Sequence, residues 1–301
     1  EDFLTDYRVN GKDTLVKAER SVRYLKKSFR GMRATEISTD KINAYIDKRM
    51  DQRMSNASIN RELAALKRMF HLGAQCTPPK VNLIPYIPML KESNIRKGFF
   101  EWHEHAAIKD ALPSYLKAVA ALAYDSGWRK EEILSRTIDK VDMNEGIIRL
   151  DPGESKNEKG RIYHMIDEVR KDIEAALANR KPACPYLFQR DGEQIKDFRE
   201  AWESACIKAG FYKVVKDEEG NQKKVPTKLF HDYRRTAVRN GVRSGTPERV
   251  VMEMTGHKTR SVFDRYNIVS DQDLKESAMK RQAYHRKQSK VVVPFKRVQN
   301  E

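Results

Sequence analysis

Apolar positions in the first third of the chain fall at helical spacing. Leu15, Ala18, Val22, Leu25 and Phe29 step by three and four, which predicts a helix over residues 13–29. Ile42, Ile46 and Met50 form a second stripe, with Thr39 as its expected N-cap. Ile59, Leu63, Leu66 and Phe70 mark a third and strongest helix, beginning near Ser58. Lys26, Lys27, Arg30, Arg33, Lys48, Arg49, Arg61 and Lys67 lie between the stripes, so the pattern predicts a small helical bundle with a basic exterior. Pro78, Pro79, Pro85 and Pro88 then interrupt the periodicity, and Gly98 closes the interruption. Proline lacks a backbone donor and resists helix continuation, so residues 77–98 read as an extended linker. Ile84, Tyr86, Ile87 and Leu90 within it predict a strap lying against a surface.

Helical spacing resumes over residues 102–110 and 113–126. Strand-like runs follow at 141–143, 147–150 and 161–166. The last two are joined by DPGESKNEKG, whose Pro, Gly and Asn mark a β-hairpin tip. Helices are predicted over 167–179 and 195–208, flanking a short apolar PYLFQ stretch. Residues 214–225 read as a loop or hairpin, and a last helix is predicted over 271–286. The expected fold is mainly α with a small antiparallel β-sheet. Its expected divisions are a helical domain over 1–76, the Pro-rich linker over 77–98, a second, α+β domain over 99–288 and a tail over 289–301 carrying three valines, Pro294 and Phe295.

Charge narrows the function. Lys and Arg number 59 against 43 Asp and Glu, a net charge of +16. A surplus of this size without a polybasic tail points to a polyanionic partner, most simply nucleic acid. Three scattered cysteines, Cys76, Cys184 and Cys206, show no CxxC spacing, which argues against a disulfide framework or thiolate zinc site and for a reducing compartment. No apolar run is long enough to span a bilayer, so a cytoplasmic protein with no membrane partner is expected. The chain begins at Glu1 rather than Met, as a fragment would. Glu101, His103, Glu104 and His105 contain metal-ligand types, but successive helical residues point apart, and a solvent-facing helix is expected there.

Candidate chemistry concentrates in residues 231–266, HDYRRTAVRNGVRSGTPERVVMEMTGHKTRSVFDRY. His231 and Arg234 are three apart, which on a helix sets both on one face. His257 follows Gly256, and Tyr266 lies nine residues further on. Upstream, Gly127 and Trp128 deliver Arg129 into a helix, and Lys156 sits on the hairpin tip. Arg129 and Arg234 suit phosphate, because guanidinium is planar, permanently charged and donates two parallel hydrogen bonds. A phenol such as Tyr266 attacks phosphorus only if its proton is accepted nearby, and His231 is the natural acceptor. Each residue has a plainer reading. Arg129 could pair with Glu132 at the surface, Lys159 competes with Lys156, and His257 could merely cap a helix. Arg235 is expected to face away from Arg234, Tyr233 to be core, and Tyr284 to lie too far along.

The pieces SGWRKEEIL, ESKNEKGRI, HDYRRTA, TGHKT and FDRYNIV occur in order and resemble the active site of the tyrosine recombinases, the phage-integrase family. Ser126, Tyr233 and Thr255 depart from its commonest pattern, and none removes a reactive group. The resemblance implies a helical core-binding domain ahead of a tyrosine-recombinase catalytic domain that together clamp the duplex. It implies the catalytic set Arg129, Lys156, His231, Arg234, His257 and Tyr266. Tyr266 would be the nucleophile and Lys156 the donor to the leaving 5′-oxygen. It further implies strand cleavage and rejoining through a 3′-phosphotyrosyl link, double-stranded DNA as partner, and a homo-tetramer on DNA. Accessory DNA-bending or directionality factors are a further implied class of partner. No metal, ATP or other cofactor is expected, since the arginines supply the charge that Mg²⁺ supplies in many nucleases. The rivals are a type IB topoisomerase-like enzyme and a non-catalytic DNA-binding protein.

Overall fold

A computed structural model of the chain describes residues 1–92, 98–154, 159–217, 219–267, 269 and 271–288. Contacts divide it into two compact units, Glu1–Arg96 and Lys97–Glu301. In the first, α1 (Asp2–Val9), α2 (Leu15–Phe29), α3 (Thr39–Asp51) and α4 (Asn56–Gln75) pack around Leu25, Ile42, Ile59, Leu63 and Phe70. Ser38, not Thr39, caps α3, its side chain accepting from the Lys41 N–H. Ser55 does the same for α4. A hydroxyl just outside each helix satisfies a donor that the helix itself cannot. Among the packed helices Glu62 is buried. It accepts two hydrogen bonds from Arg49, at 2.9 and 2.7 Å, and one from the Tyr45 hydroxyl at 2.6 Å.

The chain after α4 has neither helix nor strand through residue 92. Ile87 is buried in the first unit's core, with Ile84 and Leu90 packed against it, whereas Tyr86 points outward at 73% exposure. Asn60 fixes this strap by bonding both sides of Leu90. Its carboxamide accepts from the Leu90 N–H and donates to the Leu90 carbonyl, both at 2.8 Å.

In the second unit α6 (Ser114–Ser126) is the central helix. It packs against α5 (Trp102–Ala111), α8 (Asp167–Ala178) and α10 (Asp232–Arg243). Its alanines, Ala118, Ala120, Ala121 and Ala123, leave room for neighbours on several sides, and Leu116, Val119 and Leu122 fill the remainder. His105 on α5 is buried rather than solvent-facing: it stacks on Tyr124 and meets the Tyr233 hydroxyl at 3.0 Å. The expectation for this helix therefore fails at His105, because the i, i+4 partner of Glu101 turns toward the core.

A three-stranded antiparallel sheet is ordered β1 (Val141–Asp142), β2 (Ile147–Leu150) and β3 (Arg161–His164). Ile148 pairs with Tyr163 and Leu150 with Arg161, and all four side chains are buried. Ile162 and His164 point the other way, as a period of two requires. The short pair β4 (Gln189–Arg190) and β5 (Glu193–Gln194) precedes α9 (Arg199–Lys208), so the expected helix at 195 starts four residues later. A hairpin of β6 (Tyr212–Lys216) and β7 (Gln222–Pro226) leads to α10. Beyond it come α11 (Glu248–Thr255), α12 (Arg260–Phe263) and α13 (Asp271–Gln288). Among the described residues no helix is long and apolar enough to cross a membrane.

Candidate active site

Arg234 sits on the first turn of α10 and is 2% exposed. Its Nη1 donates to the carbonyls of Gly127, at 2.7 Å, and Thr255, at 2.5 Å. These carbonyls end α6 and α11, where no intrahelical donor remains and the helix dipole is negative. The buried cation is thus solvated by two helix ends rather than by a carboxylate. Its Nη2 is buried with no hydrogen-bond partner among the described residues. Burial and the nearby Arg129 pull its pKa down to about 10, which leaves it charged at neutral pH. Gly127 makes this approach possible. It adopts φ +62°, and a Cβ there would lie 2.8 Å from that of Ala237.

Arg129 caps α7 (Lys130–Leu134) in a reciprocal arrangement with Glu132. Glu132 accepts from the Arg129 N–H at 3.0 Å and from its Nη1 at 2.8 Å, and also pairs with buried Arg161 at 2.8 Å. Burial works against the Glu132 carboxylate. The Arg129 N–H and Arg161 outweigh it and hold the group below the usual range. The Arg129–Glu132 pair is real, yet the Arg129 charge still reaches His231, Arg234 and His257 and lowers the proton affinity of each.

His257 leaves α11 through Gly256, in the left-handed region at φ +70°. Its Nδ1 lies 2.7 Å from the Thr255 hydroxyl, and its buried Nε2 has no hydrogen-bond partner among the described residues. Burial, then Arg234 and Arg129, depress its pKa to about 3, so the ring is neutral. His231, just ahead of α10, is exposed on one side. Partial desolvation and then Arg234 lower its pKa as well.

Tyr266 follows α12 and packs beside the small cluster of Val238, Val251 and Phe263. Its hydroxyl is 3.4 Å from His231 Nε2. Its ring lies 4.9 Å from that of His257, and the Arg234 Cζ is 5.9 Å from the ring centre. His231, Arg234, His257 and Tyr266 therefore lie together, and Arg129 is near enough for its charge to act on His231, Arg234 and His257, so five of the six residues expected from the sequence are neighbours. Lys156 and the valine-rich tail lie outside the described residues. Arg235, expected to face away, has its guanidinium 5.1 Å from the Tyr266 ring centre. Sequence reasoning also missed Arg161, although its alternation with Tyr163 on β3 was a signal that it points inward. Tyr284 is exposed on α13 beside His285, and Tyr233 is core. Among the described residues no cluster of three or more His, Cys, Asp or Glu could hold a metal ion.

The description "Phage integrase family" matches residues 101–273, and "Phage integrase, N-terminal SAM-like domain" matches residues 15–74. The chain belongs to the phage integrase family. The chain is 26% identical over 290 residues to a "Tyrosine recombinase XerC-like" protein of Caldanaerobacter subterraneus, covering 83% of this chain and 72% of that one. It is 23% identical over 264 residues to transposase B from transposon Tn554 of Staphylococcus aureus, covering 82% of this chain and 40% of that one. It thus spans less than half the length of that transposase. In fold it is similar to the Tn1549 transposon integrase in complex with transposon right end DNA. The TM-score is 0.74 at 17% identity, over 93% of this chain and 98% of that one. A lambda integrase dimer bound to a COC′ core site gives 0.68 at 14% identity, over 86% and 94% of the respective chains.

Proposed function

We propose that this protein is a site-specific DNA recombinase that cleaves and rejoins double-stranded DNA through a 3′-phosphotyrosyl intermediate, serving integration or excision of a mobile element. The observation that carries the reading is the Tyr266 hydroxyl 3.4 Å from His231 Nε2, beside Arg234 and His257, each with a buried nitrogen that has no hydrogen-bond partner among the described residues. Such nitrogens are costly unless a ligand such as phosphate completes them. In the proposed step the Tyr266 oxygen attacks phosphorus and its proton passes to neutral His231. The bond from phosphorus to the 5′-oxygen breaks, and that oxygen takes a proton from Lys156. Arg129 and Arg234 bind the non-bridging oxygens as negative charge builds there, and His257 donates to one of them. Reversal of these steps rejoins a strand without ATP, because the phosphotyrosyl bond retains the phosphodiester energy.

The first unit would serve as core-binding domain and the second as catalytic domain, acting as a homo-tetramer on DNA in the cytoplasm. The test uses a pool of nicked duplexes of randomised sequence. Recovery of DNA joined to protein in SDS, with the adduct mapped to Tyr266, is the expected result. Relaxation of supercoils without any site dependence would favour a topoisomerase instead, and the absence of any adduct would leave only DNA binding.

A further inference from the structure

We propose that Arg235 is a positioning residue that holds the Tyr266 phenol against His231, a role that rests on the recombinase reading above. One side chain grips the nucleophile's segment twice. The guanidinium Cζ lies 5.1 Å from the centre of the Tyr266 ring, and Nη1 donates to the carbonyl of Arg265 at 3.3 Å. Ring and preceding peptide are therefore both tied to α10, the helix that His231 leads into. Arg234 cannot replace it. Its Cζ is further from the ring, at 5.9 Å, and its Nη1 is committed to Gly127 and Thr255.

The segment's backbone and Asn267 have hydrogen bonds of their own. The N–H groups of Tyr266 and Asn267 both donate to the Phe263 carbonyl, and Asn267 bonds Glu248 at 2.7 Å. None of them touches the phenol. A guanidinium over an aromatic face is attracted by the ring quadrupole, and the attraction grows as the phenol yields its proton and the ring gains negative charge. Arg235 thus favours both the docked position and the step that follows it.

The same cation acts on the proton acceptor. His231 is faced by Asp232, Arg234 and Arg235 on α10, by Arg129 ahead of α7, and by His257 and Tyr266. Desolvation lowers its proton affinity most and Arg234 next. Asp232 opposes them, while Arg235 and Arg129 add to the lowering. Without Arg235, His231 holds its own proton to higher pH, so on the acid side fewer rings are free to take one from Tyr266.

The experiment compares the full chain with Arg235→Ala and Arg235→Lys by two readouts. The first is an NMR titration of His231 in the free protein, its signal assigned by loss in His231→Gln. Arg235→Ala should raise the His231 midpoint by about 0.5, as expected for one unit charge several ångström away in a largely aqueous setting. Arg235→Lys should restore it. The second is single-turnover adduct formation on a duplex recovered from the randomised pool. Arg235→Ala should slow the step about tenfold, the effect of roughly 1.4 kcal/mol, and move the acid limb of the rate profile to higher pH. Arg235→Lys should return the limb but only part of the rate, since an ammonium does not lie flat on a ring.

An alanine variant with the parent's rate and titration overturns the proposal. So does one that binds DNA more weakly yet cleaves at the parent rate when saturated, which would make Arg235 a phosphate contact. If the unaltered chain forms no adduct with any duplex, the recombinase reading fails. The DNA-free titration still decides whether Arg235 acts on His231.

Discussion

Gly256 carries a constraint that only three dimensions reveal. At φ +70° it turns the chain from α11 into His257, and a Cβ would lie 2.4 Å from Arg161 Nη1. Gly256→Ala therefore meets both backbone strain and a buried guanidinium that also serves Glu132. The expected cost is about 1 kcal/mol or more, read as a melting temperature lower by roughly 2–4 °C for a unit of this size; an unchanged value would mean Arg161 can move aside. At this scale His231, Arg234, His257 and Tyr266 were legible because short motifs fix them: an i, i+3 pair and a Gly-His turn followed at a set interval by a tyrosine. Arg235 was not. Helix geometry states where it points relative to Arg234, but the Tyr266 ring it meets arrives from a different element thirty-one residues on. Thr255 reads in the sequence as a mere departure from the family pattern, yet it holds His257 Nδ1 at 2.7 Å.

Among elements, long amphipathic helices with clear stripes, α2 and α4 above all, could be read directly, and so could the alternation of β2 and β3. The helix α1 could not, because its few apolar residues, Phe3, Leu4 and Tyr7, make too short a stripe. Tertiary ties define it instead: it packs on α2 and α4, and its Asp6 pairs with Lys12 and Arg68. The start of α9 was misjudged because apolar Ile195 and Phe198 extend its pattern, although both are core residues of the preceding turn. Between α3 and α4 the pair of Arg49 and Glu62 is buried, at 6% and 5% side-chain exposure. Glu62→Gln leaves that arginine in the core without a countercharge and should destabilise the first unit by about 3 kcal/mol. Chemical denaturation of the Glu1–Arg96 unit within the whole chain measures it, and a loss below about 1 kcal/mol would show that water reaches Arg49.

Over the whole molecule the charge follows from composition, while the acid response of the second unit depends on burial. His105 and His257 are both depressed to about 3, first by burial, then by Lys109 for the former and Arg234 for the latter. An unfolded histidine binds a proton below about pH 6.5, and these two refuse it when folded. Stability present above that pH is therefore lost as pH falls from about 6.5 toward 3. The melting temperature of the second unit should drop between pH 7 and pH 5, and His105→Gln should weaken the dependence. A dependence identical in that variant would contradict a neutral, buried His105.

The most direct test of the account is the covalent step itself. Tyr266→Phe keeps the ring packed beside His257 and removes only the hydroxyl near His231. On a nicked duplex that the parent chain cleaves, the variant should bind DNA as the parent does and give no SDS-resistant adduct. An adduct that persists in Tyr266→Phe and disappears on protease digestion would mean that another residue attacks the phosphate.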